Sequence, residues 1–153
     1  MYGLTSEFEL KQHIKSVVAI VGGGESAERL LIETAAAETD LGKQPDRSWN
    51  VGIGIMQFDY IGFIDVQQRT RASLKKEILQ TFGVDVDKTK HTDLRYSPLV
   101  SVIFARLKYR LVPHAIPKSI EGRADYWKKW YNSELGKGTP EHYLHMAARN
   151  GIV

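Results

Sequence analysis

Apolar residues recur at three- and four-residue spacing through the first forty positions. Phe8, Ile14, Val17, Val18 and Val21 predict one face of a helix that Thr5 or Ser6 can cap, and "VGGGES" then stops it. Ser26, a candidate N-cap, precedes Ala27, Leu30, Leu31, Thr34, Ala35 and Glu38, which fall near one stripe of a second helix. That stripe carries a carboxylate at its inner edge. "GKQPDRSWNVG" reads as loop, and Val51 to Phe58 as a brief extended segment or hairpin with glycines at 52 and 54. A helix over about Arg71 to Phe82 and a polar loop, "GVDVDKTKHTD", come next. Pro98 in a first turn opens "LVSVIFARLKYRLV", apolar around most of its circumference until Arg106, as expected of a central core helix. Pro113 and Pro117 end it; a helix from about Ser119 to Tyr131 succeeds it, and Thr139-Pro140 starts a last one. The sum predicts a mainly α, single domain over residues 1–153 with a small β element near residues 50–60.

Composition narrows the chemistry. With 153 residues, 42% hydrophobic and 25% charged, the chain suits one compact core. It has no cysteine, which removes disulfides, thiolate metal ligands and a thiol nucleophile together. Residues 1–20 carry acids and lysines where a signal peptide needs an apolar run, and no stretch of about 18 apolar residues occurs elsewhere. Synthesis in the cytoplasm, without integral membrane contact, is the expectation. A net charge of +3 favours anionic polymers without choosing between nucleic acid, anionic lipid and cell wall.

Three motif-like stretches fall short of a site. "VGGGESAER" lacks the Gly-Lys-Ser/Thr ending with which a P-loop holds phosphate and magnesium. "DVDKTKHTDLRY" begins like a calcium loop but has Lys90 where glycine is required and Tyr96 where the bidentate carboxylate belongs. "EHYLH" sets His142 and His145 one turn apart without a third ligand, so both read as exposed histidines and no metal is expected.

The strongest chemical candidate is Glu38. An inward carboxylate is desolvated, which disfavours its charge and suits it to general-acid work, whereas a Glu at a helix end pairing with an arginine is the structural alternative. In "GIGIMQFD" the glycines allow close backbone approach, and the alternation of an extended segment turns Met56 inward and Gln57 outward. From local spacing alone Asp59 reads as a helix N-cap and Asp46 as a turn residue. Tyr109, on the Val102–Ala105 side of the core helix, either flanks a bound ring or packs in the core. In "YWKKWYNSELGKGT" the aromatics and lysines could bind nucleic acid by stacking and charge, whereas the three- and four-residue spacing of Tyr126, Trp127 and Trp130 predicts one packed helix face that leaves Lys128 and Lys129 to solvent.

Taken together, "ETDLG", "GIGIMQFD" with Gln57 nineteen residues beyond Glu38, and "WYNS" at 130–133 resemble the ordered motifs of the lytic transglycosylase and goose-type lysozyme superfamily. The resemblance runs from about Ala35 to Thr139. Thr39 stands where that family has Ser, and Ser133 where it has Ala-Gly. It implies a lysozyme-like fold that cleaves the β-1,4 bond between N-acetylmuramic acid and N-acetylglucosamine in peptidoglycan, without a cofactor. Glu38 would be the catalytic acid/base, Gln57 and the backbone at Ile55–Met56 would line the sugar cleft, and Tyr131 with Asn132 would sit across it. Asp46 and Asp59 match the two aspartates that flank this segment in goose-type enzymes. Hydrolysis with inversion needs such a second carboxylate, whereas transglycosylation uses one Glu and the muramic acid's own C6 hydroxyl. The partners implied are peptidoglycan glycan strands, and no nucleic acid. The aromatic helix leading into "GKGT" also resembles phage cell-wall hydrolases and interbacterial lysozyme-like toxins. Such proteins reach the wall by lysis, in a virion or by injection, and an injected toxin implies an inhibitor protein that blocks the cleft. The rival reading is a non-catalytic peptidoglycan- or nucleic-acid-binding module.

Overall fold

The computed structural model describes residues 2–3, 6–46, 52–132 and 137–152. Seven α-helices lie among them: α1 Glu7–Val21, α2 Gly24–Thr39, α3 Tyr60–Arg69, α4 Ala72–Phe82, α5 Pro98–Arg110, α6 Ile120–Trp127 and α7 Pro140–Arg149. The fold is mainly helical, and its buried side chains form one cluster.

Local chemistry explains most boundaries. The Ser6 hydroxyl caps α1 by accepting from Glu9 N, Ser97 caps α5 ahead of Pro98, and Thr139 caps α7 ahead of Pro140. Thr5, the other candidate cap, lies outside the described residues. Phe8 leaves the predicted α1 face and is exposed, with Leu10 buried in its stead. Helix α2 begins before Ser26, because Gly23 takes a left-handed conformation at φ 108° and caps the helix itself. Every residue of α2 from Leu30 to Thr39 is buried, for α2 packs on α1, α5, α6 and α7. It shares the centre of the molecule with α5, which is buried from Ser101 to Leu107 and again at Tyr109.

Two segments differ from the sequence-based expectation. The region near residues 50–60 holds no strand among the described residues, only a single antiparallel bridge between Ile53 and Phe58. Gly54 at φ 83° and Gln57 at φ 47° close the turn within four residues, and the chain enters α3 at Tyr60, so a ladder has no length in which to grow. Helix α3 leaves no mark in the apolar pattern: its inward face is only Gly62, Phe63 and Val66, too short for a periodicity to register. The polar loop contains a 3₁₀ turn, His91–Arg95, and α6 runs into a π-helical turn, Lys128–Asn132, which carries Tyr131. No described helix is long and apolar enough to cross a membrane.

Candidate active site

Glu38 occupies the last turn of α2 and is only 6% exposed. Its Oε2 accepts a hydrogen bond from the indole N–H of Trp127, 3.0 Å away on α6. Indole nitrogen only donates, so this bond orients the carboxyl without competing for its proton. Trp127 is itself 1% exposed, tilted against Tyr143 and touched on its outer edge by the chain at Gly138.

One residue beyond Glu38, the Thr39 hydroxyl donates to Ile55 O at 2.7 Å and accepts from Gly42 N at 3.0 Å. From the π turn, the Tyr131 hydroxyl donates to Met56 O at 2.7 Å. Two consecutive carbonyls of the Gly-Ile-Met-Gln turn are therefore tied to α2 and to the π turn. This draws together Glu38, Ile55, Met56, Gln57 and Tyr131. The side chains of Ile55 and Met56 are fully buried and their carbonyls are engaged by Thr39 and Tyr131, so their contribution to the site is to hold the turn in place. Gln57 is half-buried, and its Nε2 donates to Gly54 O at 3.0 Å and to Asp46 Oδ1 at 2.8 Å.

Asp46 is spoken for on both oxygens. Oδ1 accepts from Gln57 and from Gly54 N at 3.1 Å, while Oδ2 pairs with Arg95 Nε at 3.0 Å. The sequence-based alternative, a turn residue, describes this geometry: Asp46 acts as a clip, with both oxygens engaged. Asp59 caps α3, Oδ1 accepting from Gly62 N at 2.6 Å. It remains exposed, and its charge still acts on the site. The Tyr131 phenol is pushed well above its ordinary pKa, first by burial, then by the negative charge of Glu38, by Tyr109 and by Asp59. Lys108 Nζ stands 5.6 Å from the ring centroids of both Phe58 and Tyr131, a cation over the two aromatics that flank the turn.

Tyr109 is a core tyrosine rather than a cleft wall beside a sugar. It is 2% exposed, shares a 2.9 Å hydrogen bond with Thr34 Oγ1, and stacks between Tyr126 and Tyr131 with centroids 5.8 and 5.1 Å away. Asn132 accepts from Lys128 Nζ at 2.9 Å within the π turn, and Ser133 lies outside the described residues. His142 is not a free surface histidine: its Nε2 bonds Ala37 O at 2.9 Å, while His145 is exposed. Among the described residues no cluster of side chains could hold a metal ion.

Sequence reasoning passes over Glu33. It is 1% exposed and forms a bidentate pair with Arg123, at 2.7 and 2.9 Å, while the Tyr143 hydroxyl donates to the same carboxylate at 2.7 Å. An arginine pairing of the kind considered for Glu38 occurs here, more than a turn earlier, and with three donors on its carboxyl Glu33 is engaged in holding the fold together. Compared with protein-family models, with curated proteins and with solved structures, the chain finds no match.

Proposed function

We propose that the protein cleaves peptidoglycan glycan strands between N-acetylmuramic acid and N-acetylglucosamine, with Glu38 as the acid. The observation that carries this reading is the placement of Glu38. It is a buried carboxyl at the end of α2, oriented by the Trp127 indole, beside a glycine turn tied to Thr39 on one side and Tyr131 on the other. Burial in a largely apolar surround favours a carboxyl that can hold a proton and release it to a leaving oxygen. The glycosidic bond breaks as that proton passes to the departing sugar's O4.

We favour the transglycosylase outcome. Asp46 has both oxygens engaged, which argues against an aspartate-activated water at that position. Glu38, now a carboxylate, takes the proton of the muramic acid C6 hydroxyl as that oxygen closes on C1, leaving a 1,6-anhydro end. No cofactor enters the step. Such an enzyme acts at the cell wall, and delivery as an injected toxin would call for an inhibitor protein that covers Glu38.

Glu38→Gln preserves volume and removes the transferable proton. Its circular dichroism should match the wild type while clearance of a peptidoglycan suspension falls by about 10²–10⁴ or more. Undiminished clearance would sink the proposal. Mass spectrometry of the released fragments should show anhydro ends, about 18 Da lighter than reducing ends. Reducing ends throughout, with Asp59→Asn inactive but folded, would assign hydrolysis with Asp59 as base.

A further inference from the structure

The glycine run that opens α2 takes no part in the site above. Gly22, Gly23 and Gly24 all have positive φ, at 97°, 108° and 60°, and no side chain caps the first-turn amides. Those amides present the positive end of a 16-residue helix. Beside them opens a cavity of about 340 Å³, lined by Gly23, Ser26, Arg106, Arg110, His114 and Tyr126 among others.

Arg106 decides what this cavity is for. It is only 6% exposed, yet no carboxylate pairs with it among the ion pairs described, and none pairs with Arg110. Its Nε donates to Gly22 O at 2.8 Å, and its Nη2 lies against Gly23, where an added Cβ would come within 2.7 Å. Nη1 is buried and has no hydrogen-bond partner. Burial, with Arg110 adding to it, lowers the guanidinium pKa to about 10, and Tyr126 opposes the shift. A buried guanidinium beside a second one, at the positive end of a helix, is destabilising until an anion completes it.

We infer that this cavity binds an oxyanion of the phosphate type, held by the Arg106 guanidinium, Arg110 and the first-turn amides of α2. Two guanidinium groups and a helix N-terminus together suit a doubly charged, tetrahedral group better than a single carboxylate. The cavity also exceeds the volume of phosphate alone, and Val112 and Ile116 on its wall leave apolar room for a small molecule that bears the phosphate.

Calorimetric titration with inorganic phosphate, against acetate at matched chloride ionic strength, tests this on the intact chain. Phosphate should bind at one saturable site and raise Tm, acetate should bind at least tenfold more weakly, and the Gly24, Glu25 and Ser26 amide resonances should move. Arg110→Gln, at a half-buried position, should weaken phosphate about tenfold while the protein stays folded. Arg106→Gln should abolish binding; if that variant fails to fold, Arg110→Gln and the amide shifts still decide. No saturable binding, acetate as strong as phosphate, or phosphate binding untouched by Arg110→Gln would each overturn the inference.

Discussion

Asp46 accepts from Gly54 N and Gln57 Nε2 and pairs with Arg95, so it fastens the loop before the glycine turn to the turn itself and to the 3₁₀ segment. Asp46→Ala should therefore lower the unfolding free energy by about 1–3 kcal/mol, read by urea denaturation, and weaken clearance through a displaced Gln57. A base acting on water would behave otherwise: Asp46→Asn would then abolish activity at unchanged stability. Much of this neighbourhood was legible in the chain, because Asp46, Gly54 and Gln57 lie within twelve residues and Glu38 sits on a readable apolar stripe. Its closure was not. Trp127 meets Glu38 from 89 residues away and Tyr131 meets Met56 from 75, separations at which a helical period carries no information. Glu33 falls off the stripe of Ala27, Leu30, Leu31, Thr34, Ala35 and Glu38 and so reads as a surface residue, until Arg123 arrives from 90 residues on.

Three helices meet at that Glu33–Arg123 pair. Glu33 belongs to α2, Arg123 to α6, and Tyr143, which donates to the same carboxylate, to α7; Arg123 Nη1 also donates to Lys118 O at 2.9 Å ahead of α6. Removing one partner strands a buried charge. Arg123→Met alone should cost about 3–5 kcal/mol in urea denaturation, while the double change Glu33→Leu with Arg123→Met should regain most of that loss. Equal losses in single and double variants would show that the ions do not compensate one another. At this scale the sequence was most informative where a side chain solves a local problem. Ser6, Pro98 and Thr139-Pro140 mark helix starts because free amides need an acceptor and proline has none to satisfy. It was least informative where backbone geometry replaced side-chain chemistry, as at Gly23, or where an element buries only a few residues, as in α3.

Across the whole molecule, buried phenols should set the alkaline limit of the fold. Tyr109, Tyr131 and Tyr143 are all held well above their ordinary pKa, with burial as the leading cause in each. An acid whose folded pKa is raised contributes stability that is complete below its unfolded pKa of about 10 and is lost as pH climbs beyond it. Arg106, lowered to about 10, acts in the opposite sense: the unfolded chain binds the extra proton above that pH, which adds stability there. Three phenols outweigh one guanidinium. Stability should be level up to about pH 10 and then fall, and the phenolate absorbance of these three tyrosines should rise only together with loss of the helical circular dichroism. Separate, earlier ionisation of all seven tyrosines of the chain, with the helices intact, would contradict this arrangement.

The contact between Trp127 and Glu38 also makes the protein its own optical gauge. An indole sealed from solvent, with its N–H on a carboxyl, should emit at short wavelength and respond to a change at its acceptor. Proton uptake at Glu38, or a ligand pressing on its carboxyl, should alter that emission in a variant lacking Trp49 and Trp130, so the state of this carboxyl can be followed in real time without a label attached anywhere near it.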